Sequence, residues 1–334
     1  MMRPSKWPSA RNDARSLAHP PFAHLRSRLH LLQADASDLS PFTWISSAFL
    51  LAFLVGSTAY FGFVLEVPVP FALAVAAFWA AAWSPGMRER PRLRSFLLIC
   101  GLLPVLLCLG LAVSHTLQAF DHPLQDANLQ AIDRWLGFDW LAFQRAAYAQ
   151  HVIFSALQWA YAAFLPQIIA VPLILCLLGQ VRRADVVLGA GVLAQILVFA
   201  VGAVLPAMGA ASLVGNADLH LLFSGGATPL STLAALRDGS LRRVLMDGSG
   251  GLVTCPSFHC AIAVISTYGL WSIKPLRWPA CALNTAMVVS AVTHGAHYLT
   301  DVLAGLSVGV LAMAAATSMA SLARVNSCRF RETP

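Results

Sequence analysis

Two short polar islands interrupt the last third of this 334-residue chain, Cys255-Pro256-Ser257-Phe258-His259 and His294-Gly295-Ala296-His297-Tyr298-Leu299-Thr300-Asp301. Their surroundings are almost continuously apolar. An ionisable side chain at the centre of a bilayer costs about 2.5 to 3.5 kcal/mol on insertion scales, so three histidines and an aspartate near one depth point to a site. His297 and Asp301 are four residues apart and share a helix face. A carboxylate bonded to one ring nitrogen orients the imidazole and stabilises its cation, which leaves the other nitrogen as nucleophile or base. Alone, such a pair is equally well a structural hydrogen bond; its place inside a membrane span favours chemistry. Pro256 suits a first helical position, so the amides of Ser257, Phe258 and His259 are expected at a helix start. Unpaired N–H groups and the helix dipole attract phosphate there, with the Ser257 hydroxyl as a further donor. His259 is then placed to give a proton to a leaving oxygen.

The elements that must position these groups are transmembrane helices. The chain is 58% hydrophobic and 11% charged, against roughly 25% charged in soluble domains. Apolar runs long enough to cross about 30 Å of hydrocarbon recur near 42–65, 67–84, 95–118, 152–179, 186–206, 252–273, 280–296 and 299–323. The expectation is an all-α bundle of about eight spans over residues 42–324, between a disordered basic tail (1–41) and a short tail (325–334). Lys and Arg collect in every second connection: the N-terminal tail, the Arg88–Arg94 loop, Arg182 and Arg183, Lys274 and Arg277, and the C-terminal tail. By the positive-inside tendency both termini face the cytoplasm and both islands open to the outer face. These inner loops account for the formal charge of +7, so nucleic acid is not an expected partner; the bilayer is.

Two outer segments stand out. Residues 123–147 space Leu129, Ile132 and Leu136 about a turn apart and group Trp135, Phe138 and Trp140, as in a helix lying in the interface. The glycine-rich loop 207–251 carries Arg237, Arg242 and Arg243, which either are solvated or meet an anion. Seven cysteines, mostly inside spans and without metal or disulfide spacing, read as small buried hydrophobes. The first apolar run is too long and too late for a cleaved signal and should stay as an anchor.

At Pro256-Ser257-Phe258-His259 and, about 38 residues on, Gly295-Ala296-His297-Tyr298-Leu299-Thr300-Asp301-Val302-Leu303-Ala304-Gly305, the sequence resembles the type 2 phosphatidic acid phosphatase superfamily of membrane lipid phosphatases and phosphotransferases. The resemblance implies a six-helix catalytic core. It implies His297 as phosphoryl acceptor, Asp301 as its orienting acid, His259 as proton donor to the departing alcohol, and Ser257 with Phe258 at the phosphate oxygens. It needs no cofactor or metal. The chain departs from the pattern at Phe258, where glycine is usual, at Ala291, where an arginine is usual, and in lacking the family's first, lysine-bearing motif. Arg237 first, then Arg242 and Arg243, are the candidates to replace that charge, with His294 either shaping the phosphate pocket or simply hydrogen-bonded. The His-x-x-His-Tyr-x-x-Asp pattern of residues 294–301 is similar to the inositolphosphorylceramide synthase subfamily and related bacterial proteins. That leans toward transfer of a phospho-headgroup between lipids in a bacterial inner membrane, with a lipid phosphate or diphosphate as substrate.

Two readings compete. His259, His294, His297 and Asp301 are side chains of zinc-binding type, as in a membrane hydrolase, although HxxH is not the usual helical pair. The same groups would also suit an ion or proton path in a transporter, against which stands their clustering near one face.

Overall fold

The computed structural model describes residues 39–215, 230–245 and 251–331. The basic tail up to residue 38, Asp247 and the last three residues lie outside the described residues.

The chain begins as a span because its caps agree with its apolar content. Helix α1 (Pro41–Phe61) has Ser40 as its cap, accepting from the Thr43 amide, and Pro41 where no N–H is needed. It stops at Gly62, whose φ of 71° turns the chain out of the helix. After it come β1 (Val64–Glu66), α2 (Val69–Trp83), α3 (Pro91–Gln118), the short helices α4 (Asp126–Trp135) and α5 (Trp140–Ala149), then α6 (His151–Ala162) and α7 (Phe164–Leu177). The second half holds α8 (Val181–Val204), α9 (Leu230–Arg237), β2 (Arg243–Leu245), α10 (Phe258–Leu270), α11 (Arg277–Thr293) and α12 (Leu299–Arg331). The two strands run parallel, with Val64 opposite Arg243.

All eight apolar runs contain helix, and the all-α membrane architecture expected from them stands. They differ in length. Helices α1, α3, α8 and residues 299–322 of α12 are long and apolar enough to cross a membrane, and α6 with α7, bent by 50° at their junction, pass jointly. Helices α2, α10 and α11 are shorter, at 15, 13 and 17 residues. Prolines explain two of these: Pro68 and Pro85 bracket α2, and Pro256 keeps residues 251–257 out of the helix that follows. The interfacial segment is likewise two helices, broken at Gly137 (φ 78°). Its aromatic group is divided, since Trp135 is 84% exposed while Trp140 is buried with its indole N–H on the Val292 carbonyl at 3.2 Å. The six cysteines whose side chains are described are all free.

Helix α10 packs against α7, α8, α11 and α12. Its closest approach is to α12, through two glycines one turn apart. A Cβ at Gly305 would stand 2.2 Å from the Ser257 carbonyl oxygen, and one at Gly309 2.8 Å from that of Ala261. Small residues at this spacing let two helix backbones meet in a membrane, where dispersion and not water exclusion drives association. At the opposite end of α10, Arg183 donates to the carbonyls of Gly269 and Tyr268 and lies over the Tyr268 ring, and Arg277 donates to that of Trp271. Cations there complement the helix C-terminus. The basic connections and the polar islands thus occupy opposite ends of α10.

Gly305→Ala should therefore lower the thermal midpoint in detergent by the cost of overpacking, about 1–3 kcal/mol. Gly56→Ala, at a helical glycine with open space around it, should hold or raise the midpoint, since alanine is favoured over glycine in helices by roughly 0.5–1 kcal/mol. Equal shifts for the two variants would show that the α10–α12 approach is not tight.

Candidate active site

The carboxyl group of Asp301, in the first turn of α12, is fully buried. Its Oδ2 accepts the Tyr298 amide at 3.0 Å and lies 3.5 Å from Nδ1 of His297. With Nδ1 turned to the carboxylate, Nε2 is the edge of the ring left for other work. The turn that carries His297 folds back on α11: the amides of His294 and Gly295 both reach the Ser290 carbonyl, and that of His297 reaches the Ala291 carbonyl at 3.1 Å. Ala291, near the end of α11, is completely buried.

Two carboxylates that the sequence reading passed over hold the same turn from outside. Asp133, on α4 and 2% exposed, accepts from the amides of Leu299 and Thr300 at 2.8 and 2.9 Å and from the Thr300 hydroxyl at 2.6 Å. It caps α12 from a distant helix, satisfying first-turn N–H groups that have no partner within the helix. Asp126, one end of the same helix, accepts from the amides of Met208 and Gly209 and from the Tyr298 hydroxyl at 3.2 Å. Next to them Ala210 donates to the Ala296 carbonyl at 2.7 Å. A signal existed in the sequence: Asp126, Leu129 and Asp133 fall on one face of an amphipathic helix, and two acids on an inward stripe need donors.

The other half of the site is the start of α10, and here one expectation is corrected. Ser257 is the cap and Phe258 the first helical residue, so Pro256 precedes the cap and does not begin the helix. The Ser257 amide is taken by the Asp301 carbonyl at 3.0 Å. The amides without an intrahelical acceptor are those of Phe258, His259 and Cys260, one residue on from the expected set. The Ser257 hydroxyl is fully buried and has no hydrogen-bond partner, a donor held in reserve at this helix end.

His259 is fixed by aromatic rings from the bent pair of helices. Tyr161 stacks on it with centroids 4.3 Å apart and planes 10° from parallel, and Phe164 stacks at 3.9 Å. The two lie on either side of the break between α6 and α7, so the bend is what delivers them. The imidazoles of His259 and His297 are then 6.4 Å apart, centroid to centroid. His294 is 1% exposed, packs on Phe154 at 4.4 Å, and shares a hydrogen bond between its Nδ1 and the Thr293 hydroxyl at 2.8 Å.

Ser257, His259, His297 and Asp301 are thus brought together, with Phe258 at the first helical position edge-on to Phe164. The three arginines are engaged elsewhere. Arg237 pairs with Asp121 at 3.2 Å and donates to the His122 carbonyl; Arg242 donates to the Leu236 carbonyl and lies over the Phe63 ring; Arg243 pairs with Glu66 at 2.9 Å across the strand ribbon. Sequence alone could not show this, because Asp121, His122, Phe63 and Glu66 lie far from the arginines in the chain. Among the described residues no three His, Cys, Asp or Glu side chains are grouped to hold a metal ion, so His259, His294, His297 and Asp301 are not laid out as a zinc set.

The arrangement can present a nucleophilic imidazole, its orienting acid, a second imidazole and a cluster of amide and hydroxyl donors to one anion. Comparison with protein families agrees in kind: the model of the PAP2 superfamily matches residues 127–315, from the start of α4 well into α12. The comparisons with curated proteins and with solved structures returned no match. Since the matched region exceeds half of the chain and contains both islands, the chain belongs to the PAP2 superfamily, generally phosphatases, and its apolar helices make it an integral membrane member of that family.

Proposed function

We propose that the protein cleaves a phosphate or diphosphate ester of a membrane lipid through a phosphohistidine on His297, and passes the phosphoryl group, with any headgroup it bears, to water or to the hydroxyl of a second lipid. The observation that carries this reading is the convergence of two imidazoles from two helix starts, 6.4 Å apart, with a buried carboxylate behind one of them. His297 Nε2 attacks phosphorus in line while the bond to the ester oxygen breaks. Protonated His259 gives its proton to that oxygen, and the alcohol leaves. In the second step His259, now neutral, takes the proton of the incoming water or alcohol, whose oxygen displaces His297 from phosphorus. Asp301 stabilises the His297 cation. The Ser257 hydroxyl and the first-turn amides of α10 meet the non-bridging oxygens. No step requires a metal, and none requires the three loop arginines.

Transfer is favoured over hydrolysis by two considerations. The pattern from His294 to Asp301 is similar to that of inositolphosphorylceramide synthases. The site is also secluded, with Ser257, His294 and His297 at 0, 1 and 6% exposure, so water is at a disadvantage against an acceptor delivered by the bilayer. The charge pattern of the loops supports a site that opens to the outer face, with both termini in the cytoplasm.

Rapid quench with a phosphorus-labelled lipid phosphate should trap an acid-labile, base-stable adduct on His297 that His297→Gln does not form. His259→Ala should lower turnover by about 10²–10⁴-fold, the usual worth of a positioned general acid. An adduct that persists in His297→Gln would overturn the assignment of the nucleophile. In a second measurement, activity should survive exhaustive chelation and be inhibited by vanadate, which mimics the five-coordinate phosphorus of in-line attack; abolition by chelator with restoration by zinc would reverse the conclusion.

A further inference from the structure

The hairpin of α4 and α5 takes up backbone groups on both sides of the turn that carries His297. A helix ends with four carbonyls that no amide of its own reaches, in α11 those of residues 290–293. Two are met from within the turn: Ser290 by the amides of His294 and Gly295, and Ala291 by that of His297. The other two are met from α5. The Trp140 indole N–H donates to the Val292 carbonyl at 3.2 Å, and Nε2 of Gln144 donates to the Thr293 carbonyl at 2.9 Å. On the far side of the turn, Asp133 of α4 accepts from the Leu299 and Thr300 amides. Asp133, Trp140 and Gln144 are all buried. His297 is therefore suspended between two anchor points, residues 292–293 and 299–300, both held by one hairpin.

The same hairpin has a face turned away from the site. Ile132 and Trp135, about one turn apart on α4, and Leu136 at its C-cap are exposed, whereas Leu129 and Asp133 on the neighbouring face are buried. An exposed indole with two exposed aliphatic neighbours, on a helix that also bears Asp126 and Arg134, is the composition of a helix in the membrane interface. Its depth follows from what it touches. Asp133 caps the first turn of α12, whose residues 299–322 are long and apolar enough to span, so α4 lies level with one end of the hydrocarbon. On its other side α5 runs directly into α6, the first half of the bent pair that passes jointly as a span, and α6 exposes Val152, Ile153 and Trp159. The exposed apolar surface of the hairpin thus leads along the chain into one that lipid covers.

We propose that α4–α5 is a membrane-seated clamp: the lipid leaflet on the side of the site holds Ile132, Trp135 and Leu136, and through Asp133, Trp140 and Gln144 that contact keeps the catalytic turn in its reactive shape. The proposal deepens the reading of His297 given above and rests on it. Asp133, Trp140 and Gln144 are positioning residues, since each acts on backbone and none touches the reacting atoms. Helices of ten residues are too short to be stable by themselves, so the set of the hairpin follows from what it packs on, the catalytic turn on one face and lipid on another. Release of the lipid face lets α4 roll. A roll carries Asp133 away from the amides of Leu299 and Thr300.

The test uses the full chain in phosphatidylcholine nanodiscs. Hydrogen exchange at the Leu299 and Thr300 amides reads the clamp without any substrate: replacing Ile132, Trp135 and Leu136 together by serine should speed it by at least about tenfold, as expected of a local opening, with the amides of α3 exchanging as in wild type. Turnover is read on dihexanoyl phosphatidate, which is soluble and reaches the site from water. Asp133→Asn and the triple-serine variant should each lower kcat with KM held within about twofold, because the reacting geometry and not binding is lost; a misplacement of about 1 Å costs on the order of 10²-fold. The two changes combined should cost little more than the larger one alone. A further measurement needs no serine variant: lipids brominated at the upper acyl carbons should quench a component of the tryptophan emission that is missing in Trp135→Phe. Wild-type exchange and kcat in a folded triple-serine protein, or no quenching attributable to Trp135, as when protein and not lipid covers it, overturns the clamp and leaves the phosphohistidine reading intact. A wild type that forms no adduct on His297 and cleaves no lipid phosphate overturns that reading, while exchange and quenching still judge the clamp.

Discussion

The site depends on buried carboxylates that spend their hydrogen-bonding capacity on backbone amides. A carboxylate removed from water costs several kcal/mol unless its oxygens are matched by donors, and two buried ones, Asp301 and Asp133, meet around one turn with the half-buried Asp126 beside them. Asp301 holds Tyr298 N and faces His297, Asp133 holds the amides of Leu299 and Thr300, and Asp126 holds Met208, Gly209 and the Tyr298 hydroxyl. These bonds hold Tyr298, Leu299 and Thr300 and the neighbouring residues 208–209, so the backbone that carries His297 is fixed from several sides. The placement of His297 is thus a consequence of helix capping, done from two helices at once.

The second half of the site is placed by a steric constraint. The carbonyl of Ser257 stands where a side chain at position 305 would begin, so α10 and α12 touch backbone to backbone at the point where both begin. The Ser257 amide bonding to the Asp301 carbonyl joins them once more. The start of α10, with the amides of Phe258, His259 and Cys260 lacking intrahelical acceptors, is in this way brought beside the carboxylate-capped start of α12, and the positive end of α10 favours an anion there. With Arg237, Arg242 and Arg243 engaged elsewhere, backbone amides and imidazole contribute positive potential at the site. The stacked rings of Tyr161 and Phe164 complete it by leaving His259 little rotational freedom.

What was legible beforehand can be judged residue by residue. The eight apolar runs are local, and each contains helix; the proline before Ser257 and the spacing of His297 and Asp301 are local too, but Pro256 precedes the cap and His297 lies in the turn before α12, so a turn and not a helix face brings it to Asp301. The offset of one residue at the α10 start is also local but finer, since a cap and a first turn differ only in whether Ser257 or Phe258 first adopts helical geometry. The arginines 237, 242 and 243 illustrate the opposite case. Their charge was visible, yet their partners Asp121, Phe63 and Glu66 lie more than a hundred residues away in the chain. The same distance hid Asp126 and Asp133, which read as surface acids of an interfacial helix until α12 is seen beneath them.

By itself, then, the order of residues determined the membrane class, the helical content, the chemical types present and which of them share a helix face, because all of these follow from composition and from the fixed periods of helix and bilayer. Only tertiary structure decided which helix ends meet, which carboxylates cap them and which cations are already paired. These depend on contacts between segments far apart in the chain, set by whether two backbones can approach within a few ångströms, and no local pattern encodes that distance.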